Sequence, residues 1–267
     1  VLETEPPIRD VPEARAACSG RGFVEFDRVS FRYQGAEEPA LKDVSFRVKP
    51  GETTAIIGGT GSGKTTLVNL IPRFYEVESG RVLVDGADVR KLPQEELRAK
   101  IGFVPQKAVL FTGSVADNLR YGKDDANEEE LLHAAQVAQA DGFISGMEAG
   151  FGTMLSEGGL NLSGGQKQRL AIARAILRKP EIYVFDDSFS ALDFKTDAKL
   201  RAALRKETGN ATVIIVAQRV GSVMNADRII VLDEGSVAGI GTHRELLRTC
   251  KVYREIVSSQ LSQEEMA

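Results

Sequence analysis

The chain has 267 residues, enough for one large α/β domain or two small ones with a buried core. Its 34 basic and 38 acidic residues give a net charge of −4 with no block of like charge, which argues against a nucleic-acid binder working by phosphate neutralisation. Cys18 and Cys250 form no CxxC pair, which argues against a disulfide scaffold or zinc site and fits a reducing compartment, and no apolar run approaches the ~20 residues of a membrane span or a signal peptide.

Val1 to Ala17 holds Pro6, Pro7 and Pro12 among charges, so residues 1–20 read as a linker and the chain as a domain cut from something longer. Phe23–Phe26, Val29–Tyr33 and Val44–Val48 read as strands, the last closed by a Pro50-Gly51 turn. Thr53 to Ile57 is a short apolar strand that feeds a Gly-rich loop, followed by a helix from about Lys64 to Phe74. Arg81 to Gly86 is a further strand and turn. Between 113 and 160 strand-like runs are absent, and Glu128 to Ala140 has an amphipathic helical pattern. Helix is expected from Gly164 to Arg178, then strands at 181–186, 212–217 and 228–232 with helix between the first two. That alternation implies a parallel core sheet. Thr242 to Leu261 reads as two short helices, with a tail at 262–267, and no internal repeat or low-complexity tract is present.

The loop Gly58-Gly59-Thr60-Gly61-Ser62-Gly63-Lys64-Thr65 matches the P-loop pattern GxxxxGK[ST], with a strand before it and a helix after it. Glycines let backbone N–H groups turn inward around phosphates, Lys64 can reach the β- and γ-phosphates, and the Thr65 hydroxyl can ligate Mg²⁺. Asp186 ends the apolar run Ile182-Tyr183-Val184-Phe185 and supplies the second carboxylate-type ligand that Mg²⁺ needs; helix capping by Asp187 or Ser188 is the structural alternative for the acids here. Ser163-Gly164-Gly165-Gln166 opens a basic helix and reads as a second anion-binding N-terminus, or as a plain N-cap by Ser163. A single nucleotide does not need both loops, so the simplest geometry puts the second on a nucleotide held by another molecule.

These motifs in this order, over about residues 21–261, resemble the nucleotide-binding domain of an ABC transporter, and specifically of an exporter half. The resemblance implies a P-loop NTPase of the ABC ATPase type. Its fold would combine a RecA-like parallel core sheet, an N-terminal antiparallel β subdomain and an α-helical subdomain inserted at about 107–178. It implies Mg-ATP as ligand, with Gly58, Thr60, Gly61, Ser62, Gly63, Lys64, Thr65 and Thr66 around the phosphates and Tyr33 stacked on adenine, unless Tyr33 is an ordinary strand aromatic. Gln106 resembles the glutamine that contacts Mg²⁺ and the attacking water, joining Thr65 and Asp186 as a metal contact. Ser163, Gly164, Gly165 and Gln166 resemble the signature that closes on a partner's γ-phosphate, and Asp193 lies in Ser190-Ala191-Leu192-Asp193, which resembles the loop crossing the dimer interface. Thr153, Glu157 and Gly159 fit the exporter-specific loop that touches the coupling helices of a transmembrane domain, unless the segment is a soluble loop with a stray Glu. The exporter resemblance rests on them together with Leu110-Phe111-Thr112-Gly113-Ser114-Val115. The expected place is the cytoplasmic face of the cell membrane, as a domain of a membrane protein, with no nucleic-acid partner.

Two positions depart from the family pattern. Asp187 stands where Glu usually serves as catalytic base, and Gln218 stands where a switch His is usual. Removing one carbon withdraws a carboxylate by roughly 1.5 Å, and a misplacement of about 1 Å can slow a reaction on the order of 10²-fold. Gln218 can hydrogen-bond a γ-phosphate but carries neither proton nor charge. Because the signature is intact, the resemblance is to the degenerate-site subunit of a heterodimeric bacterial exporter, whose partner carries Glu and His at these positions. Asp187, Gln218 and Gln106 are then the residues that govern a slow ATP hydrolase site. A homodimeric exporter ATPase with Asp187 as a working base, and a nucleotide-gated clamp without a transport role, are the alternatives. Multidrug or lipid-like cargo is what the resemblance suggests.

Overall fold

The computed structural model describes residues 8–10 and 21–260. The linker expected over 1–20, apart from 8–10, and the tail expected over 262–267 lie outside the described residues, as does Cys18. Residues 8–10 touch the domain: Arg73 donates to the Arg9 carbonyl at 3.0 Å and Gln94 N–H to Asp10 at 3.1 Å.

In chain order the main elements are β1 (Val24–Phe31), β2 (Leu41–Val48), β3 (Thr53–Gly58), α1 (Lys64–Asn69), β4 (Ser79–Val84), β5 (Ala87–Asp88), α2 (Gln94–Ala99) and β6 (Ile101–Val104). Next come β7 (Gly113–Ser114), α3 (Val115–Arg120), α4 (Glu128–Val137), α5 (Asp141–Ser145), β8 (Met154–Leu155) and α6 (Gly164–Leu177). The chain closes with β9 (Ile182–Asp186), α7 (Phe194–Thr208), β10 (Thr212–Val216), β11 (Arg228–Asp233), β12 (Ser236–Gly241), α8 (His243–Thr249) and α9 (Lys251–Gln260).

An antiparallel sheet in the order β2-β1-β4-β5 covers one side of a larger sheet ordered β12-β11-β3-β10-β9-β6, in which only β12 runs antiparallel to its neighbour. The central strands β9 and β10 are buried at every position, as strands covered on both faces must be. Their side chains alternate between two cores. Tyr183 and Phe185 point to the core built with α6, α7 and α9, whereas Ile182 and Val184 point to the core shared with α1 and the antiparallel sheet. The two strand-like runs before residue 34 form one strand, β1. A register shift between Phe26 and Val29, with Arg28 at φ 48°, keeps Phe26 and Val29 both buried.

Two expectations are corrected. The helix after the P-loop ends at Asn69 rather than Phe74, because Pro72 has no N–H to continue it; Leu70 and Ile71 turn back on Leu67 and Val68 at 3.2 Å in the tighter three-residue pattern. A short strand pair, β7 with β8, does occur within 113–160. Two-residue strands are too short for alternation to show. The helices α3 to α6 are inserted between β6 and β9, which are parallel neighbours, so the helical region hangs from the end of the sheet that carries the site.

Candidate nucleotide site

Three adjacent parallel strands deliver the site. β10, β9 and β6 end at Val216, Asp186 and Val104, and the residues just beyond them are Gln218, Asp187 and Gln106. Open α/β sheets place ligands in the crevice outside such carboxyl ends. Asp187 sits at φ 45°, fastened by its N–H to the Val216 carbonyl at 3.0 Å. Its Oδ2 accepts from Gln218 Nε2 at 2.7 Å and from Gln106 Nε2 at 3.2 Å. Residues separated by 81 and 31 positions in sequence thus meet on one carboxylate oxygen.

Beside them β3 runs into the P-loop. Gly58 admits no side chain, since a Cβ there would lie 2.2 Å from the Leu232 carbonyl, and Gly63 holds φ 97° where a Cβ would lie 2.8 Å from the Ala40 carbonyl. Within the loop Ser62 N–H bonds to the Gly59 carbonyl at 3.2 Å, while the N–H groups of Thr60, Gly61 and Gly63 find no acceptor among the described residues. Such orphan donors suit a phosphate. Lys64 Nζ folds over them, donating to the carbonyls of Gly58 (2.9 Å) and Gly59 (2.7 Å) and to Ser62 Oγ (3.3 Å). Burial pushes its pKa below the ordinary lysine value, and the nearby Asp187 and Asp186 carboxylates only partly oppose this. The site therefore holds a desolvated ammonium with no carboxylate hydrogen-bonded to it.

Thr65 donates from Oγ1 to Asp186 Oδ1 at 3.0 Å. Asp186 is 2% exposed, and burial pushes its carboxyl above the usual range, against the Thr65 hydrogen bond and Lys64 and helped by the neighbouring Asp187. Two hard oxygen ligands side by side, one an anion held at a disadvantage by burial, fit an Mg²⁺ ion that restores the missing positive charge. Tyr33 OH shares a hydrogen bond with Thr66 Oγ1 at 2.9 Å on α1, and its exposed ring packs edge-on against Phe31 and Tyr75. The P-loop, Tyr33, Asp186, Asp187, Gln106 and Gln218 are therefore assembled as one site.

Ser163, Gly164, Gly165 and Gln166 stand apart from it; no hydrogen bond joins them to residues 58–66 among the described residues. Ser163 caps α6 through a reciprocal pair, Gln166 N–H to Ser163 Oγ at 3.3 Å and Ser163 N–H to Gln166 Oε1 at 2.8 Å. Gly165 lies close under the Ala191 carbonyl, 3.1 Å from where a Cβ would be, while Gly164 faces open space. Asp193 is turned to its own helix: it caps α7 by accepting from Thr196 N–H at 3.0 Å, and that bond holds its carboxyl below the usual range. Neither Asp187 nor Ser188 is a helix cap. Ser188 is fully buried and donates to the Val104 carbonyl at 3.0 Å, tying the end of β9 to the end of β6. Gln168 donates to the Pro105 carbonyl at 3.1 Å, which links α6 to the residue before Gln106. The sequence offers Ser188 only as a helix-cap candidate, and no motif marks Gln168. His133 pairs with Glu207 at 2.8 Å and His243 with Tyr253 OH at 2.8 Å, so neither histidine substitutes for Gln218.

A family model described as ABC transporter matches residues 41–190. The chain belongs to the ABC transporter family. Similar curated proteins include an uncharacterized ABC transporter ATP-binding protein of Mycobacterium tuberculosis, 52% identical over 97% of this chain and 45% of that protein. An ATP-dependent lipid A-core flippase of Chromobacterium violaceum is 43% identical over 94% of the chain and 43% of its own length. The fold matches the structure of a bacterial Atm1-family ABC exporter with ATP bound at a TM-score of 0.94 and 38% identity, covering 98% of this chain and 46% of that one. The chain spans about 45% of the length of the mycobacterial relative, and it carries the ABC ATPase fold.

Within this ABC domain the buried Asp186 makes stability depend on pH. Its raised pKa means that the folded, nucleotide-free protein binds this proton more tightly than the unfolded chain. That contribution is full at acid pH and is lost as pH rises from the unfolded value, about 3.9, through the raised folded value. Asp186→Asn should therefore raise the urea midpoint at pH 7, with the gain shrinking below about pH 4. The same variant should lose Mg²⁺-dependent nucleotide binding in a titration.

Proposed function

We propose that this chain is the ATP-binding and ATP-hydrolysing domain of an ABC exporter half-transporter, with a slow site of its own and a signature that serves a partner. One observation carries the reading: the acid in the base position is an Asp whose Oδ2 takes the amides of Gln106 (3.2 Å) and Gln218 (2.7 Å). A general base must accept the proton of the attacking water within about 2.6–3.2 Å. Here the side chain is one carbon short, and the two amides that orient one of its oxygens can neither take up a proton nor supply positive charge.

The remaining parts support tight nucleotide binding. The P-loop N–H groups and Lys64 face the phosphates, and Tyr33 lies where a base can stack. Thr65 and Asp186 would hold Mg²⁺, with Gln106 nearby; the ion, when bound, neutralises charge on the β- and γ-phosphate oxygens. Ser163, Gly164, Gly165 and Gln166, remote from this chain's own P-loop, suit the phosphate of ATP held by a second nucleotide-binding domain. A partner with Glu and His at the two departing positions would give the pair one slow and one competent site.

A groove of about 260 Å³ lies between the parallel sheet and the helical region, lined by Phe74, Phe103, Pro105, Val109, Tyr121 and Arg174 among others. It adjoins Pro105, next to Gln106, and suits the coupling helix of a transmembrane domain, which supports a location at the cytoplasmic face of a membrane. Export is the direction in which the flippase and Atm1-family likenesses point.

The test is ATPase turnover of the complete transporter after removing the base of each site separately. Asp187→Ala should lower steady-state turnover by less than about 3-fold, while removal of the corresponding carboxylate of the partner should abolish it. Equal loss from both substitutions sinks the degenerate-site reading.

A further inference from the structure

We propose that Gln260, the last residue of α9, is a positioning residue for the switch segment 218–220, holding it so that the Gln218 side chain reaches Asp187. The proposal rests on the reading above, in which Gln218 and Asp187 govern hydrolysis at this chain's own site.

The geometry is a two-point clamp. Gln260 Nε2 donates to the Gln218 carbonyl at 2.8 Å, and Gln260 Oε1 accepts from the Val220 N–H at 2.8 Å. A primary amide with one donor and one acceptor thus pairs with the C=O and N–H that flank Arg219, much as a neighbouring strand would. The segment lies beyond the end of β10, where the ladder has stopped, so these groups have lost their sheet partners. The clamp supplies replacements.

α9 is a firm base for it. Tyr253 and Val257 are fully buried on its inner face, and α9 packs against β11 and against the turn at Val220–Ser222. At the far side of that turn Arg201 of α7 donates to the Ser222 carbonyl at 2.9 Å. Between the clamped atoms, the Arg219 guanidinium stacks over the exposed ring of Phe194 at 5.5 Å, next to Asp193 at the start of α7. With the backbone held on both sides of Arg219, Gln218 has a defined starting point for its 2.7 Å contact with Asp187. Loss of the clamp frees the backbone by two hydrogen bonds without touching Asp187, the P-loop or the Mg²⁺ ligands.

The substitution to make is Gln260→Leu, which keeps size and helix propensity and removes both polar atoms. It is made in the complete transporter, alone and combined with Gln218→Ala, with Gln260→Glu as a partial rescue that retains the acceptor for Val220. Gln260→Leu should slow single-turnover hydrolysis at this chain's site about 3- to 10-fold, the range expected for weak neutral hydrogen bonds. KM for ATP and Tm should stay unchanged, Gln260→Glu should lie between the two, and Gln260→Leu should add nothing in the Gln218→Ala background. A purely structural role would lower Tm and would act equally in both backgrounds, and that result overturns the proposal, as does unchanged hydrolysis where Gln218→Ala slows it. If Gln218→Ala itself changes nothing, the switch reading fails, and amide hydrogen exchange at Val220 decides the clamp separately: faster exchange in Gln260→Leu sustains it, and equal exchange overturns it.

Discussion

Changing Asp187→Glu together with Gln218→His should raise ATP turnover at this chain's own site by about 10²-fold. The Asp187 backbone is fixed at φ 45° with its N–H bonded to the Val216 carbonyl, so the carboxylate's reach is set by side-chain length. One added methylene advances the oxygens by roughly 1.5 Å. The histidine puts a group able to carry a proton where the Gln218 carboxamide now lies 2.7 Å from Oδ2. Each substitution alone should give less than its share of the double change, because both act on one carboxylate oxygen. Single-turnover hydrolysis in the complete transporter reads the effect directly. No gain in the double variant would mean that chemistry at this site is limited elsewhere.

Lys64→Met should weaken nucleotide binding by roughly 2–5 kcal/mol, or about 30- to several-thousand-fold. Lys64 is 9% exposed, and its ammonium is held by two backbone carbonyls and a serine hydroxyl rather than by a carboxylate. A phosphate is the counter-charge this arrangement lacks. The lysine's depressed pKa means that the empty domain carries its charge at a disadvantage, so Tm without nucleotide should not fall in Lys64→Met. Wild-type stability should rise as pH climbs from the lowered folded value toward the unfolded value near 10.4, and the variant should lose that rise. A nucleotide titration with paired melting curves checks both halves. Lys64→Arg should not restore affinity, since a planar fork cannot fold back onto Gly58 and Gly59 as a single Nζ does.

The strands and motifs were legible because they are local. Ile182–Asp186 shows its burial in an unbroken apolar run, and the P-loop shows its turn in four glycines within six positions, Gly58 to Gly63. The helix after that loop was read too long. The pattern stays apolar to Phe74, while Pro72 stops the backbone earlier. The two-residue strands β7 and β8 left no trace, since pairing that brief depends on what a distant segment offers.

Asp187 and Gln218 were visible singly as departures from a pattern. Their meeting with Gln106 on one oxygen was not visible, because it follows from the strand order β10-β9-β6, a fact of topology. Asp193 turned out to cap its own helix, and Ser163 is occupied with Gln166 in the isolated chain; sequence spacing cannot tell a cap from a ligand contact when the same side chain suits both.

From sequence alone, this protein's P-loop pattern, the acid that ends β9 and the shorter acid after it were determined, since each is written in a few consecutive residues whose chemistry is intrinsic. Only the tertiary structure decided which carboxylate oxygen both glutamines share, that Lys64 lies over its own loop, and that the far end of α9 reaches back to Gln218 and Val220. Those are distances between segments separated by tens of residues, set by sheet order and core packing.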